Sequence, residues 1–236
     1  REEGAVGLPH PLIPSPAGLY GTARSNSAGL DLANEDVLRQ LRTSLGESAK
    51  VQWVAEPILA ESDGASGRDD WADLLNPADH RDVVGRVREA TSNEVDTALG
   101  VAEAASASWA QTPPEMRAAR LDAAADLLER RMPILMGLLA REAGKTCPNS
   151  IAEVREAVDF LRFYAAQAKT DFANDTHRPL GPVVCISPWN FPLAIFLGQI
   201  AAALAAGNTV LAKPAEQTPL VAAEAIRLLL QAGVPA

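Results

Sequence analysis

The 236 residues are 47% hydrophobic and 22% charged, enough apolar material for a sizeable core and a balance that excludes global disorder. A formal net charge of −9, with Lys and Arg scattered along the chain, argues against nucleic acid or an anionic membrane as main partner, because either needs a basic surface. Two cysteines without a CxxC, and three well-separated histidines, argue against zinc and fit a reducing, cytoplasmic compartment.

The N-terminus lacks a hydrophobic core of signal-peptide type. Residues 1–33 are rich in Pro, Gly, Ser and Asn, and Pro9, Pro11, Pro14 and Pro16 are too close together for a helix. They predict an extended strap lying over something larger. A short helix is expected from Asn34 to about Ala55. Residues 61–70 form a polar loop and the best internal boundary. Apolar residues on either side of Asn76-Pro77 then predict a strand pair over 74–79 and 82–87.

Three helices are predicted next, each from a Ser or Thr three residues before a Glu: Thr91/Glu94, Thr112/Glu115 and Ser150/Glu153. Pro133 divides or kinks the helical stretch from Leu121 to Leu139. Val183 to Ile186 is a continuous apolar run, as for a strand buried on both faces. Leu193 to Ala206, 14 residues including Gln199, is too short for a membrane span and suits a buried helix ended by Gly207. A second strand over 209–212 and a helix begun by Thr218-Pro219 complete a strand–helix–strand–helix run. That order implies a parallel pair with a right-handed crossover.

Pro188-Trp189-Asn190-Phe191-Pro192 and Lys213-Pro214-Ala215-Glu216 therefore fall at the carboxyl ends of neighbouring strands, the edge where open α/β sheets bind ligands. Prolines stiffen the first turn. An amide fixed there, at Asn190, can donate to a developing oxyanion; alternatively it caps the following helix. Glu216 can accept ribose hydroxyls while Lys213 donates to the same sugar, and its charge would repel a 2′-phosphate, favouring NAD over NADP. A surface ion pair is the alternative. No GxGxxG follows Ile186, and Gly144-Lys145-Thr146 lacks the spacing and the strand of a P-loop, so a helix-ending turn is expected there.

Together these strings resemble the aldehyde dehydrogenase superfamily over about Leu74 to Ala236. Arg141 to Thr146 resembles a recurrent turn of that family. Tyr20 to Leu32, Ile151 to Phe160 and Asp171 to Gly181 are similar to its bifunctional proline-utilization branch. There, a linker joins a flavin-dependent proline dehydrogenase barrel to the aldehyde dehydrogenase domain. The resemblance implies an α/β, aldehyde-dehydrogenase-like fold: a strap with one helix over 1–70, a strand pair and helices over 71–180, and the first part of a Rossmann-type parallel sheet over 181–236. It implies NAD-dependent oxidation of L-glutamate γ-semialdehyde to glutamate, with FAD confined to the barrel.

By the same resemblance Asn190 is the oxyanion donor, and Ile186, Ser187, Pro188 and Trp189 line the cofactor. Lys213 and Glu216 hold its adenosine ribose. Glu156 and Phe196 face the aldehyde pocket, although each also suits an ordinary helix surface or core position. Gln199 stands where many members carry a lysine. The family's nucleophilic cysteine, general-base glutamate and glycine loop lie downstream, so the chain reads as an internal fragment, inactive and aggregation-prone alone. Cys147 and Cys185 read as structural thiols. Expected partners are the aldehyde, the remainder of the same polypeptide and further copies of it, with any membrane association through other domains. A non-catalytic module of the same fold is the alternative; an acyl-phosphate reductase would use NADPH, which Glu216 disfavours.

Overall fold

The computed structural model describes residues 12–60 and 70–236. Pro9, Pro11, His10 and nearly all of the polar loop at 61–70 lie outside the described residues. From Leu12 to Ala33 the chain forms only a short 3-10 turn, Pro16–Gly18. Side chains fasten this segment to the helices below it. Arg24 pairs with Asp159 at 2.9 Å, and the same carboxylate accepts the Ser27 amide at 3.0 Å and hydroxyl at 2.6 Å.

Helix α1 (Glu35–Ser48) starts where expected, with the Asn34 side chain accepting the Asp36 and Val37 amides. It ends sooner than its sequence suggests. Trp53–Ala55 is instead a strand, β1, running parallel to the far side of a hairpin formed by β2 (Ala72–Asn76) and β3 (Asp79–Val87). The strand order is β1-β3-β2. The pairing of β1 is non-local, Trp53 lying opposite Gly85, so no local periodicity announces it. Gly85 is needed there, because a Cβ would collide with the Trp53 carbonyl oxygen.

Thr91 and Glu94 form the anticipated capping box at the start of α2 (Ser92–Gln111). Thr112 does not cap α3 (Pro114–Arg130). Its hydroxyl donates back to the Ser108 carbonyl at 3.1 Å and so belongs to the end of α2. A break at Arg131, with Pro133 in the next first turn, separates α3 from α4 (Met132–Ala143). Gly144, at φ 65°, ends α4 in the left-handed region, which confirms the helix-ending turn. Helix α5 (Cys147–Thr170) begins earlier than Ser150: Thr146 is the cap, its hydroxyl accepting the Asn149 amide. Pro148 suits the first turn, and Ser150 lies buried within the helix.

The last segment alternates as predicted: β4 (Val183–Ile186), α6 (Ala194–Ala205), β5 (Val210–Lys213) and α7 (Pro219–Gln231). Strands β4 and β5 are parallel neighbours. The expectation that β4 is buried on both faces fails. Cys185 is 4% exposed, whereas Val184 is 54% and Ile186 66% exposed. Helices pack on the Cys185 side, and among the described residues nothing covers the other. The core lies where α3, α5 and α6 meet, with Leu121, Leu128, Val154, Leu161, Leu197 and Ile200 all buried. Among the described residues no helix is long and apolar enough to cross a membrane.

Candidate active site

The parallel register places Ile186 directly opposite Lys213, and the Ser187 amide donates to the Lys213 carbonyl at 3.2 Å. The two strings picked out in the sequence are therefore side by side at the carboxyl edge of the sheet. Ile186, Trp189, Asn190, Lys213 and Glu216 are exposed along this edge, while Ser187 and Pro188 are more enclosed. The Ser187 hydroxyl is buried at the strand end without a hydrogen-bond partner among the described residues.

The alternative roles raised for these residues are not seen. Leu193, not Asn190, occupies the cap position of α6, and no side-chain cap bond is made there. Among the described residues, no ion pair joins Lys213 to Glu216, and the Glu216 carboxylate accepts only from its neighbour Gln217, at 3.1 Å. The Asn190 amide and the Lys213 ammonium are thus available to a bound molecule.

What holds α6 is Glu153. This carboxylate, on α5 and only 2% exposed, accepts the Leu193 amide at 3.3 Å and the Ala194 amide at 3.0 Å through one oxygen. Its other oxygen accepts from the Lys145 ammonium at 2.9 Å. Lys145 also lies over the Phe191 ring, 4.7 Å from its centroid. The sequence had suggested that Glu153 caps its own helix; it crosses to a neighbour instead. Glu142 on α4 does the same for α7, accepting the Leu220 and Val221 amides at 2.6 and 2.9 Å. Thr218 occupies the α7 cap position without making the cap bond. Neither glutamate had been picked out as a site residue. Glu142 carried a signal, an acid sharing an apolar helix face with Leu138 and Leu139, whereas Glu153 shares its face with Asn149, Ser150 and Glu156 and carried none.

Glu156 lies one turn beyond Glu153 and is exposed at the surface of α5. Partial burial, then the neighbouring Glu153 charge, push its carboxyl up, and Lys145 opposes this. Phe196 is 1% exposed, a packed core ring of α6, and Gln199 is half-buried on the same helix. Both cysteines are free thiols; burial pushes Cys185 up. Among the described residues no cluster of His, Cys, Asp or Glu could hold a metal.

The model of the aldehyde dehydrogenase family matches residues 65–236. The chain belongs to the aldehyde dehydrogenase family. Bifunctional protein PutA from Klebsiella aerogenes is 62% identical over 235 residues, covering 100% of this chain and 18% of the relative. A 1-pyrroline-5-carboxylate dehydrogenase from Bacillus mycoides is 37% identical over 217 residues, 87% of this chain and 41% of the relative. Among solved structures, a bifunctional proline utilization A superposes with TM-score 0.75 at 40% identity, over 96% of this chain and 21% of that one. A Thermus 1-pyrroline-5-carboxylate dehydrogenase with bound NAD gives 0.82 at 32% identity, over 89% and 43%. The chain thus spans about a fifth of the PutA relatives it matches. As an aldehyde dehydrogenase segment it has the expected mixed α/β fold, helices with small sheets.

Proposed function

We propose that these residues form the cofactor-side and oxyanion-side part of an NAD-dependent L-glutamate γ-semialdehyde dehydrogenase. The parent polypeptide is longer and also carries a flavin-dependent proline dehydrogenase. The observation that carries this reading is the register of Ile186 against Lys213, which brings the Asn190 turn and Glu216 to one sheet edge. The high identity to bifunctional PutA proteins along the whole chain supports the assignment to proline catabolism.

The edge suits a dinucleotide. The exposed Ile186 and Trp189 side chains offer apolar surface, and Lys213 with Glu216 offers a donor and an acceptor for ribose hydroxyls, with Ser187 and Pro188 forming the strand end between them. NAD held at this edge would supply the hydride acceptor for the tetrahedral adduct formed when a nucleophile from the remainder of the polypeptide adds to the aldehyde carbon. Asn190 donates a hydrogen bond from its side-chain amide to the carbonyl oxygen as that addition places negative charge on it. The stiff turn between Pro188 and Pro192 fixes the amide beforehand, so little reorganisation accompanies reaction. Glu156 borders the aldehyde's approach. Phe196, on α6, is assigned to the wall of the same pocket, with its ring packed into the core. No nucleophile is assigned within these residues, since Cys185 is buried in a strand and its thiol is pushed up.

The test is steady-state kinetics of the full-length polypeptide on L-glutamate γ-semialdehyde, comparing wild type with Glu216→Ala. We expect NADH formation from wild type. The variant should show a raised KM for NAD and a narrowed preference for NAD over NADP. Absence of NADH from wild type would remove the activity, and unchanged cofactor kinetics in the variant would remove Glu216 from the site.

A further inference from the structure

The start of α6 needs a buried anion, and that anion comes from another helix. The first amides of a helix have no partners within it and carry the positive end of its dipole. Here Leu193 provides no side-chain cap, and Glu153 takes the Leu193 and Ala194 amides instead. Three residues before Leu193 stands Asn190, and among the described residues Glu153 is the α5 side chain hydrogen-bonded to the start of α6. Lys145 completes the arrangement: its ammonium is shared between Glu153 and the face of Phe191, the residue after Asn190. Lower down, α5 and α6 are in close contact. A Cβ on Gly198 would lie 2.9 Å from the Phe160 ring, so α6 cannot slide along α5. The carboxylate fixes the end of α6 that carries the turn, and the glycine–phenylalanine contact fixes its middle.

We infer that Glu153, assisted by Lys145, is the positioning residue for the Asn190 amide. It touches neither substrate nor cofactor in this account and acts only through the turn it holds. The inference rests on the reading of Asn190 as oxyanion donor. A donor of that kind is worth roughly a hundred- to a thousand-fold in rate, provided it sits within hydrogen-bonding reach of the developing charge. A displacement on the order of an ångström forfeits much of that. Glu153→Gln keeps the side chain's shape and one acceptor oxygen, but loses the charge that satisfies Lys145 and the helix terminus.

The experiment is a double-mutant cycle in the full-length enzyme, with kcat measured on L-glutamate γ-semialdehyde and NAD for wild type, Glu153→Gln, Asn190→Ala and the double variant. The expected result is a loss of roughly tenfold in kcat for Glu153→Gln, with the KM for the aldehyde little changed. In the Asn190→Ala background the same change should cost almost nothing, since there is no amide left to misplace. An equal loss in both backgrounds would overturn the inference and leave Glu153 a purely structural residue. If Asn190→Ala alone is as active as wild type, the oxyanion reading falls and the positioning role falls with it, a pattern distinct from additive losses. Lys145→Met supplies a milder second variant that retains the Glu153 bonds to α6. It should show a smaller loss in the same direction, again absent from the Asn190→Ala background; an additive loss would contradict the inference equally.

Discussion

Glu142 is 4% exposed and accepts the Leu220 and Val221 amides at the start of α7. Burial outweighs those two bonds and pushes its carboxyl up from 4.5 to about 8. The folded state therefore favours the protonated acid more than the unfolded chain does. Its contribution to stability is fully present below 4.5 and is lost as pH rises through about 8. Glu142→Gln, which cannot ionise, should flatten that part of the profile. The check is the thermal midpoint of the full-length protein across this pH window, wild type against variant. Parallel curves would show that Glu142 does not titrate there. The apolar face around Glu142 marked it as an unusual acid, but neither its bonds to α7 nor the role of Glu153 was legible from sequence. Spacing reports neighbours along one helix, whereas both side chains cross to another. Asn190, Lys213 and Glu216 were legible as a group because their residue types and separation depend only on one strand–helix–strand unit, which local pattern specifies well.

At the scale of elements, α6 is bracketed by charge. Glu153 holds its amino end, and Arg117, 2% exposed on α3, holds its carboxyl end by donating to the Ala205 carbonyl at 3.0 Å. The same guanidinium donates to the Thr112 carbonyl at 2.7 Å and to the Asn174 side chain at 3.2 Å. Both ends match the sign of the helix dipole. Burial pushes the Arg117 guanidinium down, so carbonyl oxygens must replace the water it loses. Arg117→Met would leave those carbonyls without a donor and should lower stability by about 3 kcal/mol, read from urea denaturation of the full-length protein. A loss below about 0.5 kcal/mol would mean that water or other donors replace it. Elements set by local signals matched expectation: the Thr91 capping box, the hairpin around Pro77 and the stop at Gly207, which has φ 87°. Those that depend on distant partners did not. Trp53–Ala55 became a strand because Gly85 lets its backbone approach closely; the Thr112 cap failed for a local reason instead, its hydroxyl turning back to Ser108 four residues earlier.

Across the molecule, the helices α3, α5 and α6 carry the packing and the small β4–β5 sheet carries the proposed chemistry at its edge. The face of that sheet bearing Val184 and Ile186 is open among the described residues, and Leu180 nearby is 93% exposed. Sequence predicted the buried Cys185 side correctly but had no means of showing that the other side would be uncovered here. A continuous apolar run reads the same whether one face or both are packed. The family follows from residues 65–236, while the reaction depends on what Asn190 does when substrate and cofactor are present. The most direct measurement is therefore kcat for NAD-dependent oxidation of L-glutamate γ-semialdehyde by the full-length protein and its Asn190→Ala variant. The account predicts robust NADH formation by wild type and a loss of roughly a hundred- to a thousand-fold in the variant. Equal rates for the two proteins would contradict it.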